Sequence, residues 1–364
     1  MPRAINQRAL FKARIQETSM KFRIGTLTAL CAFSFISTGI PVAAQTSGSG
    51  GSVSIYGTLD TYVGSMRRSD QPGRTTNVNS GGLTTSFLGF RGTEDLGSGA
   101  KAFFVLESFL QVDSGSAGRT TADPFFSRNS FVGLSNGYGQ LTIGRQTNPM
   151  YVATGAFNPF LASANLSPVL LHVWSANYNR TVVGDTVWDN SIQYSTPRLG
   201  GFTGSVTYGL GEVANDSGVR NLNATANYAD GAFAAVVSAQ QVKIGPGLTA
   251  AMGSEKAAMT GMSYDFTAAK VYGQYFWTDT RDTRLKTKTA QVGVGIPLGN
   301  GNVMASVAHT RREAPNVDAS RTTAGLGYDH FLSKRTDLYA VALKDKFTGF
   351  SSATSLALGI RHRF

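Results

Sequence analysis

SLALGIRHRF, the stretch from Ser355 to Phe364, alternates large apolar residues with small or charged ones. Leu356, Leu358 and Ile360 share one parity, whereas the positions between them carry Ala, Gly and Arg. This period of two predicts a β-strand, because successive side chains of a strand point to opposite faces of its sheet. One such strand fits a water-soluble sandwich as well as a membrane barrel, so the rest of the chain has to decide its environment.

Fifteen further segments alternate in the same way, each bounded by Gly, Asn, Asp or Pro. The predicted strands begin near Val53, Leu83, Ala100, Phe125, Gly139, Thr186, Phe202, Arg220, Ala232, Glu255, Ala269, Lys286, Asn302, Arg321, Thr336 and Ser352. Seven short turns alternate with eight longer polar loops along this series. An even number of strands with short turns on one side and long loops on the other is typical of bacterial outer-membrane barrels. We therefore expect an all-β fold, a sixteen-stranded antiparallel transmembrane β-barrel.

The two faces of the predicted wall differ in polarity, as VSIYGTLDTYV at residues 53–63 illustrates. Val53 and Ile55 fall on one face, and Thr58 and Asp60 fall on the other. An apolar face beside a polar one suits lipid outside and water inside a barrel. A soluble exported β-protein that binds ligands is an alternative, but it would need a dry interior, which this parity disfavours.

An apolar run near the start of the sequence has the features of a secretory signal peptide. Basic residues precede the run, and a Val-Ala-Ala sequence ending at Ala44 offers a small-residue cleavage site. We expect a signal peptide at 1–44 and a barrel domain at 45–364, with Met20 as an alternative start. The only cysteine, Cys31, falls in the leader, so the mature chain is expected to have neither disulfide nor thiol chemistry.

The charge distribution argues against nucleic acid as a partner. The formal net charge is +11, but six basic residues and one acidic residue lie in the leader, which leaves +6 for the mature chain. Lys and Arg are spread singly through the alternating segments and form no basic run interleaved with aromatic residues. We therefore expect no nucleic-acid binding.

Catalytic and cofactor-binding motifs do not stand out in the sequence. The G-x-S-x-G, C-x-x-C and H-E-x-x-H patterns are missing, so neither an enzyme nor a cofactor is expected. The four histidines are scattered without a second ligand at a useful spacing, and no metal site is expected. An outer-membrane hydrolase stays as a weaker alternative because His330 follows Asp329, although no nucleophile is recognisable beside them.

Several blocks of sequence couple strand parity to a particular turn, and they occur in order along the whole mature chain. They include SVSIYGTLD, FLGFRGTEDLGSGAKAFFVLES, FVGLSNGYGQLTIGRQ, NSIQYSTPRLGGF and GIRHRF. With these blocks the chain resembles the general porins of β-proteobacteria. The resemblance implies an outer-membrane channel for passive diffusion of small hydrophilic solutes and ions. It also implies a homotrimer, contacts with outer-membrane lipid and lipopolysaccharide, and delivery by the barrel-insertion machinery.

The longest connection, Thr147 to Gly184, is predicted to be the third external loop. A long segment without a clear pattern of its own inside a compact domain is usually functional. Its Trp, Leu and Phe content makes it too apolar to extend into water, so we expect it to pack against the inner wall. The resemblance likewise implies that this loop folds inward and narrows the pore.

Two charged residues match the charges that line the constriction of general porins, and a third faces the same lumen. The resemblance assigns Arg128, in FFSRNSFVG, to a wall arginine and Glu107 to a lumen carboxylate, and Arg91 shares the lumen-facing parity. Charges in such positions steer ions through a narrow aqueous path.

The sequence also departs from the family at the constriction. Phe87 and Val187 stand where relatives often carry arginine, and the predicted loop contains no Asp or Glu. We therefore expect a less charged constriction, lined also by loop side chains such as Tyr151 and Trp174. A weak anion preference should result from Arg128, while a substrate-selective outer-membrane channel stays as the alternative.

The final strand carries an assembly signal by resemblance. Phe364 matches the terminal aromatic residue by which the insertion machinery recognises barrels, and Gly359 matches the glycine of that signal. We expect both residues to matter for insertion, with the Phe364 ring in the aromatic girdle at the membrane interface.

Overall fold

A computed structural model describes residues 51–212, 214–215 and 217–364. The predicted signal peptide at 1–44 lies outside the described residues and stays a prediction. None of the helices within the described ranges has the length and apolarity that a membrane crossing requires.

Sixteen antiparallel strands form a closed barrel, as the alternating pattern predicted. Their bounds are β1 Gly51–Met66, β2 Phe87–Gly97, β3 Ala100–Gln111, β4 Asn129–Asn136, β5 Gly139–Thr147, β6 Val187–Ser195, β7 Phe202–Leu210, β8 Arg220–Asp230, β9 Phe233–Val242, β10 Glu255–Asp265, β11 Lys270–Thr280, β12 Lys286–Leu298, β13 Gly301–Ala314, β14 Val317–Phe331, β15 Thr336–Phe347 and β16 Ala353–Arg363. The barrel closes because β16 pairs with β1, from Thr58 opposite Arg363 to Ser65 opposite Leu356. Two further short strands, Thr75–Ser80 and Ser116–Ala117, lie in the first and second external connections.

The wall separates side chains by parity in the way that the sequence predicted. On β16, Leu358 is 66% exposed on the outside of the barrel, whereas the neighbouring Ala357 is 2% exposed inside it. On β1, Val53 and Ile55 are exposed, while Asp60 is fully buried. The exposed apolar face is the one that lipid covers in an outer-membrane barrel.

Close approaches at two glycines shape the contacts of the last strand with its two neighbours. Gly359 lies opposite Tyr339 in the register of β15 and β16, and the Tyr339 ring occupies the space that a side chain at Gly359 would need. At the other end, Gly57 and Phe364 exchange two backbone hydrogen bonds of 3.1 Å each. A Cβ atom at Gly57 would lie 2.8 Å from Cζ of Phe364, so the ring covers this glycine directly.

The second strand of the wall is interrupted. Thr58 of β1 pairs with Phe87, and Thr61 of β1 pairs with Ser80. Two residues separate these positions on β1, but six separate Ser80 from Phe87, so the second strand has four residues more than the pairing requires. The inserted segment, residues 81–86, turns into the barrel, and its Leu83 is 2% exposed. The sequence placed the start of this strand at Leu83, whereas β2 begins at Phe87, because Leu83 packs inside the barrel rather than in the wall.

Asp60 holds the inserted segment in place from the neighbouring strand. Its carboxylate accepts hydrogen bonds from the backbone N–H groups of Gly82 at 3.0 Å and Thr84 at 2.8 Å. The Tyr339 hydroxyl donates to the same carboxylate. A side chain at Gly82 would overlap that hydroxyl, so only glycine allows this approach.

The third external loop contains two helices, α1 Pro149–Ala156 and α2 Pro168–Trp174, followed by a 3₁₀ turn at Ala176–Tyr178. The sequence predicted no helix here. The signals were nevertheless present, since each helix begins with proline in its first turn and the Asn148 side chain caps α1 by accepting from Met150 N–H.

The loop packs against the inner wall, which confirms the predicted inward fold. Helix α1 lies along β8–β10, and α2 lies along β12–β14. Met150, Val169 and Leu170 form one buried cluster with wall residues such as Phe276. A second cluster joins Phe160 and Leu166 to Leu83 and to the wall residues Met304 and Leu343. The loop therefore covers the inner wall opposite the first four strands.

Candidate channel constriction

Glu107 on β3 is the centre of a polar cluster on the wall that the loop leaves uncovered. It is 3% exposed, and its carboxylate accepts hydrogen bonds from Arg128 and Asn129. The Tyr56 hydroxyl donates to the other carboxylate oxygen at 2.6 Å. These contacts fix the carboxylate, because every donor comes from a side chain held by the sheet or its edge.

Two arginines flank a pair of aromatic rings beside this carboxylate. The Arg91 guanidinium lies over the Tyr56 ring at 4.8 Å, and the Arg128 guanidinium lies over the Phe87 ring at 4.3 Å. The Tyr56 and Phe87 rings meet edge to face at 5.9 Å. We call Arg91, Tyr56, Phe87 and Arg128 the wall ladder. Cation–π contacts of this kind restrain a guanidinium without neutralising it.

The structure thus brings together four of the residues that the sequence predicted at the constriction, Phe87, Arg91, Glu107 and Arg128. Tyr56 was missed, although it shares the lumen-facing parity of Thr58. With two guanidiniums and one carboxylate, the cluster has a net charge of +1.

Tyr151 on α1 faces this cluster from the loop. Its hydroxyl donates to the Ala162 carbonyl at 3.3 Å, and it interacts with Thr85 in the inserted segment and with the charge of Arg128. Tyr151 is partly buried and packs against the first apolar cluster of the loop. The loop therefore presents an aromatic side chain where relatives are implied to present carboxylates.

Trp174 and Val187 lie elsewhere, although the sequence placed both at the constriction. Trp174 is 6% exposed behind Tyr151, with the two rings perpendicular at 5.5 Å, and its Nε1–H donates to Thr154. Val187 is 3% exposed at the start of β6, where it pairs with Thr147. Both residues serve as packing for the loop and its end.

Arg119 forms a charged group at the end of the loop that sequence reasoning missed. Its guanidinium binds Asp123 at 2.8 Å and Asp185 at 2.7 Å. Burial alone would raise the pKa of the Asp185 carboxyl, but the hydrogen bonds from Arg119 outweigh burial and lower this pKa below its ordinary value. The sequence holds a signal for this contact, because Asp185 directly follows Gly184, at which the predicted loop ends.

Two other arginines on the inner wall have close partners of opposite charge. Arg361 binds Asp329 and Asp337, each at 2.9 Å. Arg321 binds Asp345 at 2.9 Å and Asp70 at 2.8 Å. Arg363 also binds Asp337 at 2.7 Å and Arg68 binds Asp70 at 3.3 Å, so the positive and negative charges balance in both groups.

A closed antiparallel barrel with an inward loop facing a charged wall cluster defines a channel of the bacterial outer membrane. The family model described as Gram-negative porin matches residues 26–349, and the chain belongs to this family. It is therefore an outer-membrane channel for passive diffusion of small hydrophilic solutes and ions, and it is not an enzyme.

The chain is similar to known porins from other Gram-negative bacteria. Outer membrane porin protein 32 of Delftia acidovorans is 31% identical over 349 residues, which cover 86% of this chain and 94% of the relative. An outer membrane porin protein of Bordetella pertussis is 27% identical over 374 residues, with 86% and 94% covered. Among solved structures, the anion-selective porin from Comamonas acidovorans has a TM-score of 0.71 and 27% identity, covering 86% of this chain and 100% of that one.

Proposed function

We propose that the channel has a weak preference for anions and that the wall ladder sets it. The observation that carries the proposal is the unequal exposure of the central ion pair. The Arg128 side chain is 30% exposed, whereas the Glu107 side chain is 4% exposed. A passing ion therefore meets the cation of the pair more closely than the anion.

The preference should be weak and should depend on salt. The cluster carries only one net positive charge, and the loop opposes it with Tyr151 rather than with a carboxylate. An exposed charge acts over about 8 to 10 Å at ordinary salt and over about 3 Å at 1 M. The name of the Comamonas acidovorans relative, an anion-selective porin, supports the same sign of preference.

Reversal potentials in planar bilayers test this proposal. Under a KCl gradient, the unmutated protein should show an anion preference that declines as the mean salt concentration rises. Arg128→Gln should reduce it, while Arg335→Gln, which changes an arginine of a short turn away from the cluster, should leave it unchanged. Strong cation selectivity of the unmutated protein would refute the assignment of the constriction to Phe87, Arg91, Glu107 and Arg128.

We also propose a homotrimer, which rests on family membership. Stepwise conductance in multiples of three and cross-linking in mild detergent would test it. A signal peptide at 1–44 followed by a barrel domain at 45–364 is proposed from the sequence, and N-terminal sequencing of the exported protein tests that boundary.

Lipopolysaccharide is the proposed lipid partner, on the evidence of the outer face. Lys288 and Arg311 lie directly opposite each other on β12 and β13, both exposed on the outside of the barrel near the external rim. Like charges directly opposite each other in a sheet repel. Arg311 already binds Glu313 at 2.8 Å, and a lipid phosphate would balance the positive charge of Lys288 at this depth.

Gly359 and Phe364 are proposed as the assembly signal that the insertion machinery reads. The support is their position at the seam, where the Phe364 ring covers Gly57 and Gly359 accommodates Tyr339. Both residues thus belong to the strand that completes the barrel.

A further inference from the structure

A cavity of about 300 Å³ lies at the external side of the barrel, away from the constriction. It is bounded by the end of the third loop and by the external ends of β10–β13. Its lining includes Arg180, Arg312, Glu255, Val183, Met252 and Leu285. Two guanidiniums therefore face one small cavity from opposite elements, Arg180 from the loop and Arg312 from the wall.

Arg180 is partly buried, and its guanidinium has neither a hydrogen bond nor an ion pair within the described part of the chain. Burial lowers the pKa of Arg180 below its ordinary value, which reflects the cost of a desolvated cation. The backbone of Gly247 packs against this group, since a Cβ atom there would lie 2.5 Å from Nη2 of Arg180. The guanidinium is thus held in position by packing rather than by a carboxylate.

Arg312 points into the barrel from β13 and is likewise partly buried. Its guanidinium also makes no hydrogen bond or ion pair to any residue in the described ranges. Arg119, Arg321 and Arg361 differ from it, because each of them binds two carboxylates. Partly buried guanidiniums without a partner are unfavourable in a folded protein unless an anion can reach them.

Glu255 compensates only part of this charge. It is 2% exposed, and its carboxylate accepts a hydrogen bond from Val183 N–H at 2.9 Å. Both arginines interact with it electrostatically, and Asp185 outside the cavity lining also attracts Arg180, yet neither arginine lies within ion-pair distance of any carboxylate that the structure describes. The cavity therefore keeps a net charge of +1 and two sets of guanidinium donors.

We propose that this cavity binds a small organic anion before it reaches the constriction. One carboxylate would be held by Arg180 and Arg312 together, in the bidentate geometry that guanidiniums favour. Val183, Met252 and Leu285 supply apolar surface for a short carbon body. This inference rests on the proposed diffusion of anions through the channel, and it adds a binding site outside the wall ladder.

Occupancy of the site should reduce the current that chloride carries, because a bound anion neutralises the cavity and stands in the external vestibule. The test uses the full-length purified protein in planar bilayers at about 0.1 M KCl, where charge effects extend about 10 Å. Sodium succinate is added to each side in turn, with succinamide as the uncharged probe. We expect saturable reduction of current by succinate from one side and none by succinamide.

Arg180→Gln and Arg312→Gln should each raise the half-blocking succinate concentration by about tenfold, the typical effect of losing a charge-assisted hydrogen bond. Arg281→Gln is the matched control, because Arg281 lies in the external connection between β11 and β12 with its side chain 78% exposed. Calorimetric titration of the detergent-solubilised protein with succinate gives a second readout that does not depend on current.

Equal effects of succinate on all four proteins, or no heat of binding, would overturn the site. Equal binding of inorganic phosphate with the same dependence on both arginines would overturn its assignment to organic anions. Reversal potentials distinguish the two proposals. If the channel prefers anions but does not bind succinate, only the proposed binding site is wrong. If the channel shows no anion preference, the proposed function is wrong.

Discussion

Arg128 and Glu107 form an ion pair on the inner wall of the barrel, and the two ends of the pair differ in their access to water. The Arg128 side chain is 30% exposed and lies on the Phe87 ring, while the Glu107 side chain is 4% exposed beneath it. The carboxylate thus tunes the charge of the wall from a position that solutes hardly reach. Removing the negative charge of Glu107 should therefore change the ion selectivity of the channel more than its conductance.

Glu107→Gln should strengthen the anion preference. The substitution raises the net charge of the cluster from +1 to +2 while it preserves an acceptor for Tyr56. We expect the anion-to-cation permeability ratio to rise roughly two- to fivefold, since a unit charge a few ångströms from the path is worth about 1 kcal/mol in water. Reversal potentials measure the ratio. Glu94→Gln, at an exposed position near the short-turn end of β2, serves as control, and an unchanged ratio in E107Q would contradict the proposed field.

Arg128→Glu should reverse the preference, because the cluster then carries one net negative charge. The measurement belongs at about pH 8, well above the ordinary range in which carboxylates titrate. The expected outcome is a change of sign in the reversal potential. If the sign stays the same, Arg128 does not control ion selectivity.

Phe87→Arg should strengthen the preference for anions and slow the passage of uncharged aromatic solutes. The added guanidinium increases the positive charge of the wall and removes an aromatic surface on which such solutes can stack. Phe87→Leu is the matched variant, since it removes the ring without adding charge. Solute flux in liposome swelling and reversal potentials together separate the two effects, and equal results for both variants would argue against a role of charge.

The tip of the inward loop is tethered to the inserted segment of the wall. The Ser163 hydroxyl donates to the Gly82 carbonyl, and the Asn165 amide donates to the Gly81 carbonyl at 2.8 Å. Ser163→Ala with Asn165→Ala should increase open-channel noise, because each lost hydrogen bond weakens loop docking by about 1 kcal/mol. Asn177→Ala changes an exposed residue of the same loop and should leave the noise unchanged. Quiet channels in the double variant would show that the apolar contacts alone fix the loop.

Acid should release the loop through His172. This side chain is 1% exposed between the hydroxyls of Thr310 at 2.9 Å and Thr323 at 2.8 Å. Burial, with the charge of Arg321, lowers the pKa of His172 from 6.5 to about 3, while Asp345 opposes this shift. The released imidazole therefore binds protons more readily than the docked one. Docking is fully favoured above about pH 6.5 and weakens as the pH falls towards 3.

His172→Gln provides the comparison for this pH dependence. The amide can still bond to both threonine hydroxyls but does not titrate. We expect single-channel recordings of the unmutated protein to show growing conductance fluctuations from about pH 6 downwards, and H172Q to remain quieter over the same range. Identical pH profiles of the two proteins would exclude His172 as the cause.

Periodic parts of the molecule could be predicted from sequence, and irregular parts could not. Strand parity placed Arg91 on the inner face, because a period of two fixes direction once one face is known. Phe87 and Glu107 were assigned to the constriction by resemblance to the porin family. The loop has no such period, so the aromatic character of Trp174 could not reveal whether its ring faces water or the wall. The predicted start of the second strand at Leu83 was wrong for a related reason. The apolar side chain of Leu83 fits the alternation of a strand, but it packs under the loop.

Asp60 lies on the first strand of the barrel and Tyr339 on the penultimate one, and together they hold the segment to which the loop tip binds. This platform exists only after both ends of the sheet have met. The third loop can therefore narrow the channel only late in biogenesis. In a barrel that has not closed, the segment that binds the loop tip is not yet held in place. A misassembled barrel would lack the constriction and would have a wider channel. Faults in insertion should therefore make the outer membrane leak large solutes rather than reduce uptake.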